Sequence, residues 1–339
     1  MLRAGVVGLG LLGQKYLRLM ANDPRIRIVG VCDIDKQKVK QVCQQYQVQG
    51  FTELSGFLDL DMDFVYIATP DFAHTEPAVR AAERGFNLLI EKPLATSTAE
   101  AEQIVQAVRK SGVKAKVSFC NRWNPPFVAA KKAVEEGEIG EVISIYARLN
   151  DTIFVPTKML KWASQTSPGW FLMSHTFDLA RWFIGSEAVE VFGIGQKKVL
   201  KQEYQIDTYD NLYAVVRFEN GAIAVLESGW ILPESFPFII DFKFQIIGTK
   251  GCIHINTHDQ MVHLAGTKYQ HLGTIDIDVN RKPRGQLAFS FEEFIDALLE
   301  NREPEATVED GLANTRVLEA VHIAADSGGA VIKVKGNNA

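Results

Sequence analysis

Three groups of residues in this 339-residue chain have the types and spacing to do chemistry. The first is Gly8-Leu9-Gly10-Leu11-Leu12-Gly13, which follows an apolar run and opens a helical pattern, with Asp33 twenty residues beyond Gly13. In a strand, turn and helix this spacing cradles a pyrophosphate. Gly8 permits the tight turn, Gly10 lets the backbone approach the phosphates, and Gly13 lets helix and strand pack closely. The helix amino terminus adds unpaired N–H groups and the positive end of its dipole. A carboxylate at Asp33 suits the ribose hydroxyls and repels a 2′-phosphate, which favours NAD, while Lys36 and Lys38 keep NADP open. The competing reading, that the glycines serve only the turn and Asp33 caps the next helix, explains less of the context.

The second group is Glu91-Lys92-Pro93, after an apolar run over 86–90. A charged side chain at the carboxyl end of a parallel strand faces the crevice where ligands bind, although on its own Lys92 reads equally as a solvated lysine. The third is His175 with Asp178, one turn apart on an apolar helical pattern over 171–184 and so on one face. An imidazole titrates near working pH and suits proton transfer, and Asp178 could orient it or meet substrate. The plain alternative pairs Asp178 with Arg181 and leaves His175 in the core. Thr69-Pro70 and His74 follow another strand pattern; His74 is read either beside a nicotinamide or in a surface or helix-capping role.

The elements that must position these residues change character along the chain. Short β-branched runs at 2–7, 26–32, 64–68, 86–90 and 114–119 alternate with helical patterns at 36–46, 75–84 and 98–110. That alternation predicts a Rossmann-type α/β domain of five parallel strands over residues 1–121. From residue 122 to 339 the pattern predicts an α+β domain with a large, mostly antiparallel open sheet. Asn220-Gly221 marks a type I′ hairpin, and from Phe238 to Ile247 apolar and mixed residues alternate, giving one covered face. The mixed face is either solvated or an oligomer contact. Two late helices are expected near 287–300 and 308–325.

Bulk properties exclude several classes. A hydrophobic share of 47% and a charged share of 23% are those of an ordinary globular protein. A net charge of -5 without a concentrated basic surface argues against nucleic-acid binding. No apolar run is long enough for a membrane span. Met1-Leu2-Arg3 leads straight into the first strand without room for a signal peptide, so a cytoplasmic protein is expected. Cys32, Cys43, Cys120 and Cys252 form no Cys-x-x-Cys pair and predict neither disulfides nor zinc. His254, His258 and His263 fit no standard ligand spacing, so no metal is expected.

These motifs, in this order, resemble the Gfo/Idh/MocA family of sugar and polyol dehydrogenases. The resemblance rests on Ile90-Glu91-Lys92-Pro93-Leu94, Ala68-Thr69-Pro70, Ala81-Ala82-Glu83-Arg84-Gly85, Asn121-Arg122-Trp123-Asn124-Pro125, His175-Thr176-Phe177-Asp178 and Ile247-Gly248-Thr249-Lys250-Gly251. It implies hydride transfer between NAD and a carbon bearing a ring hydroxyl or keto group of a sugar, sugar derivative or inositol. Lys92 would then hydrogen-bond the reacting oxygen, His175 would exchange its proton, and Pro93 would follow a cis bond. Glu91, Thr69 and Pro70 fall beside the cofactor. Arg122 and Trp123 lie where the two domains join and are candidate substrate contacts, with a structural salt bridge as the alternative for Arg122. A homodimer or homotetramer through the second domain's sheet is expected.

One departure stands out. Many family members carry an aspartate one turn before the histidine, where this chain has Phe171 in Pro168-Gly169-Trp170-Phe171. Trp170 and Phe171 either stack on a sugar ring or anchor the helix in the core. The missing carboxylate also admits two rival readings: a catalytically silent NAD-binding regulator, and an NAD-assisted lyase or glycosidase.

Overall fold

The computed structural model describes residues 1–273 and 276–334. The chain divides into two compact units, one comprising Met1–Cys120 with Asp278–Leu312, the other Asn121–Ile277 with the chain from Ala313 onward.

The first unit runs β1 (Leu2–Val7), α1 (Leu11–Ala21), β2 (Ile26–Cys32), α2 (Lys36–Tyr46), β3 (Gln49–Phe51), α3 (Leu54–Phe57), β4 (Phe64–Ile67), α4 (Thr75–Glu83), β5 (Asn87–Ile90), α5 (Thr98–Ser111) and β6 (Ala115–Val117). The six strands are parallel in the order β3-β2-β1-β4-β5-β6. The order reverses between β1 and β4, the switch point at which ligands bind in such sheets. Strands covered on both faces need continuous apolar runs, and every residue of β4 is buried. Asp35 starts α2 by accepting from the Gln37 and Lys38 N–H groups, and Ser97 starts α5 by accepting from that of Glu100. The sixth strand, β3, was not expected. It has three residues with no apolar alternation and exists because its backbone pairs with the edge of β2.

The unit is completed by distant sequence. Helix α9 (Gln286–Leu299) sends Phe291, Phe294 and Ile295 into one core with Val6, Tyr16 and Phe64. Tyr16 meets Phe291 edge-on at 5.7 Å, and Phe64 meets Phe294 at 5.5 Å. Residues 278–312 therefore join the first unit, whereas the sequence reading assigned everything after 121 to the second. An apolar helix shows that it needs a partner and not which one. Beneath α9, Lys116 on β6 is fully buried. Its ammonium donates to the Ser290 carbonyl at 2.9 Å and pairs with the Glu293 carboxylate.

The second unit contains α6 (Pro125–Glu135), β7 (Val142–Thr152), α7 (Ser174–Ile184), β8 (Ala188–Gln196), α8 (Val199–Tyr204), β9 (Asn211–Phe218), β10 (Ile223–Leu232), β11 (Ile240–Gly248), β12 (Cys252–Asn256) and the short strands β13 (His263–Ala265) and β14 (Tyr269–His271). Two more short strands, β15 (Ile277–Val279) and β16 (Lys282–Arg284), pair with each other before α9. The last elements among the described residues are α10 (Val308–Asp326) and β17 (Val331–Lys333). The large sheet has the order β12-β11-β7-β10-β9-β8-β17. Only its β7–β10 pair is parallel among the described strands. Asn220-Gly221 closes the β9–β10 hairpin, but not as the expected type I′ turn: Gly221 alone is at positive φ, +87, and the Gly221 N–H donates to the Phe218 carbonyl at 3.0 Å, giving a three-residue loop with a left-handed glycine at its end. One sheet face is covered by Phe127 of α6, which packs on Phe244 at 5.5 Å, and by Phe177 of α7, which stacks on Phe218 at 6.2 Å. Along β9 the buried Leu212, Ala214 and Val216 alternate with the exposed Tyr213, Val215 and Arg217.

Removing one partner of a buried ion pair leaves the other charge desolvated. Glu293→Ala should therefore lower stability by about 3–5 kcal/mol, read as a lower midpoint in chemical denaturation; an unchanged midpoint would show that Lys116 does not depend on it.

Candidate active site

Two of the three glycines in the turn after β1 leave no room for a side chain. A Cβ on Gly8, at φ +92, would lie 2.5 Å from the Ala68 carbonyl, and one on Gly13 would lie 2.0 Å from the Gly8 oxygen. Gly10 is different: its φ is an ordinary -72, and a Cβ there would meet nothing within 4 Å. Neither backbone nor packing demands glycine at that point, so the open space beside it suits an approaching pyrophosphate. Leu11 and Leu12 begin α1 with no acidic side chain in the first turn, which leaves the helix dipole available to an anion.

Asp33 stands at the end of β2. Its carboxylate accepts the Leu9 N–H at 2.6 Å on one oxygen and the Asp35 N–H at 2.8 Å on the other. A carboxylate offers about four acceptor positions, so both oxygens keep capacity for ribose hydroxyls. Asp33 also braces the glycine turn, a function the spacing did not reveal. These residues fit an NAD-type cofactor.

At the end of β5 the structure separates neighbours that the sequence grouped together. Glu91 is buried and accepts from the Tyr66 hydroxyl at 2.7 Å. Burial pushes its carboxyl pKa up, while hydrogen bonds from Tyr66 and Ser118 and the nearby Lys92 charge oppose the shift. Ser118 in turn lies 2.8 Å from the Tyr16 hydroxyl. Glu91, expected beside the cofactor, thus belongs to a buried network spanning β4, β5, β6 and α1. Tyr16, Tyr66 and Ser118 went unnoticed because each reads as an ordinary core or strand residue. Lys92 itself is 9% exposed, and the Lys92–Pro93 bond is cis.

His74 is neither a surface residue nor a side-chain cap of α4. Its ring is buried, with Nδ1 2.8 Å from the Pro93 carbonyl and Nε2 3.0 Å from the Thr69 carbonyl. It ties the Thr69-Pro70 turn to the Lys92-Pro93 turn. Burial lowers its pKa to about 4 against those carbonyls, so it is neutral near pH 7. Thr69 closes its own turn, donating to the Ala73 carbonyl at 2.9 Å.

In the second unit, a five-residue π-helix over Gly169–Met173 leads into α7, which carries His175 in its first turn, half-buried. Asp178, one turn on, pairs with Arg122 rather than with Arg181. Its oxygens accept from Arg122 Nε at 3.0 Å and from a terminal guanidinium nitrogen at 2.6 Å. Both residues are buried, and Arg122 makes the ion pair that the sequence left as its alternative role. Arg181 holds Glu187, at 3.0 Å from Nε. Trp123 is half-buried.

The aromatic pair splits. Trp170 is buried and stacks on His322 at 4.6 Å with the planes 9° apart, so it is a core anchor. Phe171 is half-buried, 6.1 Å from Trp162 and 5.8 Å from Trp230. The place of the missing carboxylate is thus an aromatic cluster.

Fold and turn chemistry together define a dinucleotide-binding oxidoreductase. Residues 2–119 match the oxidoreductase family with an NAD-binding Rossmann fold, and residues 127–254 match the GFO/IDH/MocA C-terminal domain. The chain belongs to the Gfo/Idh/MocA family. It is 29% identical to the uncharacterized oxidoreductase YrbE of Bacillus subtilis (strain 168), over 93% of this chain and 92% of that protein. It is 28% identical to the scyllo-inositol 2-dehydrogenase (NAD(+)) of the same organism, over 93% and 91%. The fold is shared with scyllo-inositol dehydrogenase from Lactobacillus casei, solved with NAD(H) and scyllo-inositol, at a TM-score of 0.84 and 20% identity over 98% and 99% of the two chains.

Burial brings the His322 pKa down to about 4, against about 6.5 in an unfolded chain. The unfolded state therefore takes a proton that the folded state refuses. This contribution to stability is complete above about pH 6.5 and is lost as pH falls to about 4, for a total near 3 kcal/mol. Melting temperature plotted against pH should fall less steeply over that window in His322→Gln than in the wild type; parallel curves would rule out His322 as a source.

Proposed function

We propose that this enzyme transfers hydride between NAD and a ring carbon of an inositol or a similar cyclic polyol. The observation that carries the reading is Lys92, the charged group at the carboxyl end of β5, whose turn is fastened below by Glu91 and from the side by His74. Bound NAD supplies the hydride acceptor or donor. The glycine turn and the α1 amino terminus hold its phosphates, and Asp33 holds its ribose. Lys92 donates a hydrogen bond to the reacting oxygen and stabilises charge there as the C–H bond breaks. His175 takes the hydroxyl proton during oxidation and returns it during reduction.

Asp178 takes no direct part in this reading. With its oxygens on Arg122, it braces the first turn of α7 and so the backbone that carries His175. Phe171 supports a substrate that presents a C–H face where many relatives have a carboxylate to bind a hydroxyl. An inositol offers such a face on its ring. The absence of nucleic-acid and membrane partners follows the same reading, which sets the enzyme in the cytoplasm; no helix among the described residues is long and apolar enough to cross a membrane.

NADH formation measured across a panel of inositols, sugars and sugar acids should single out a cyclic polyol. Lys92→Ala and His175→Ala should each lower kcat by about 10²–10⁴-fold, and turnover unchanged in Lys92→Ala would sink the assignment. NAD bound tightly with no reaction on any substrate would favour the silent-regulator reading instead.

We further infer that a second copy of the chain covers the open face of the large sheet. Tyr146, Phe192, Ile194, Tyr213, Val215 and Ile223 are all exposed there, and monomers rarely leave so broad an apolar face uncovered. Sedimentation should show a dimer or tetramer that dissociates in Tyr213→Glu/Val215→Glu; a wild-type monomer at assay concentration would refute the assembly.

A further inference from the structure

Away from the residues above, the second unit brings together three side chains with metal-ligand chemistry. Candidate ligand atoms of Asp259, His263 and His271 all lie within 4.8 Å of one another. The β13–β14 register sets His263 directly opposite His271, and their rings stack at 4.4 Å with planes 12° apart. Asp259 approaches from the preceding turn, and its Oδ1 lies 2.9 Å from His263 Nε2.

The far sides of both rings are already engaged. His271 Nδ1 lies 3.2 Å from the His258 carbonyl. A carbonyl only accepts, so the proton sits on Nδ1 and Nε2 keeps its lone pair. His263 Nδ1 lies 2.9 Å from the Tyr269 hydroxyl, which accepts as readily as it donates. His263 can therefore carry its proton on Nδ1 and turn Nε2 to a cation in place of its bond to Asp259. Outer partners of this kind fix the tautomer and orientation of metal-ligating histidines.

We propose that Asp259, His263 and His271 form a binding site for a divalent transition-metal ion of the zinc, cobalt or nickel class. Two imidazoles and one carboxylate suit these ions rather than magnesium or calcium, which prefer oxygen ligands throughout. A tetrahedral ion with bonds of about 2.0–2.1 Å sets its ligands about 3.3 Å apart. The His263–Asp259 pair is within that separation, and side-chain rotation brings His271 to it. Water completes the coordination.

The hairpin has a physical need for such a clip. All three residues of β13 are exposed, as are two of three in β14. A two-stranded hairpin without a buried apolar face is marginal in water, and a ligand that binds only the folded form stabilises it. The site requires nothing of the hydride-transfer chemistry. It also revises the expectation of no metal, because the histidines that converge are not the run 254, 258 and 263 but His263 with His271.

The test is equilibrium dialysis of the full chain against Zn²⁺ in a Cys252→Ser background, because the exposed Cys252 sulfur lies 3.6 Å from His254 Nε2 and offers a thiol site of its own. One ion per chain is expected, lost in His263→Ala and in His271→Ala and retained in His254→Ala. Tyr269→Phe, which removes only an outer partner, should bind about 10- to 100-fold more weakly. Zn²⁺ should also slow proteolytic cleavage within 257–273 in the parent and not in the two histidine variants. Zinc uptake that survives both histidine substitutions, or no uptake by the parent at neutral pH, would overturn the site.

Discussion

A carboxylate buried beneath the end of β5 sets the position of Lys92. Desolvation disfavours the charged form of Glu91, and hydrogen bonds from Tyr66 and Ser118 make its burial tolerable. Those partners sit on β4 and just after β6, and Ser118 passes the connection to Tyr16 on α1. Helix α1, which opens directly after the glycine turn, and the strand that ends at Lys92 are thereby coupled through one polar network inside an otherwise apolar sheet. A fully satisfied buried network of this kind rigidifies what it joins. His74 fastens the same turn from the other side through two backbone carbonyls.

The second unit solves a similar problem by packing. His175 rides on the first turn of α7. Phe177 and Phe183 hold that helix in the core, and the Arg122–Asp178 ion pair holds its polar side. The stretch just before it is anchored by Trp170 against His322, whose neutral ring lies 2.6 Å from the Ser167 hydroxyl. With Trp170 spent on the core, Phe171 is the member of the pair left at the half-buried surface.

Polar residues were the hardest to assign from sequence, and the reason is common to all of them. Glu91, His74, Arg122 and Asp178 carry the side chains that chemistry uses, and the same side chains satisfy buried backbone and charge. Only their partners distinguish the two uses. Gly10 is the reverse case: its role emerges from what it does not touch, since a Cβ there would enter open space.

The sequence by itself determined the elements and the family. Helix and strand periods and the place of the Asn220-Gly221 turn are local, and local signals survive without a fold. So does the spacing of Gly8, Gly10, Gly13 and Asp33, because all of it lies within one βαβ unit. Tertiary structure alone decided that α9 completes the first unit, that β3 extends its sheet, that Asp178 faces Arg122, and that His271 meets His263 across a hairpin. Each of these is a contact between residues distant in sequence or set by strand register, and an amphipathic pattern states how much surface must be buried without naming the surface that will cover it.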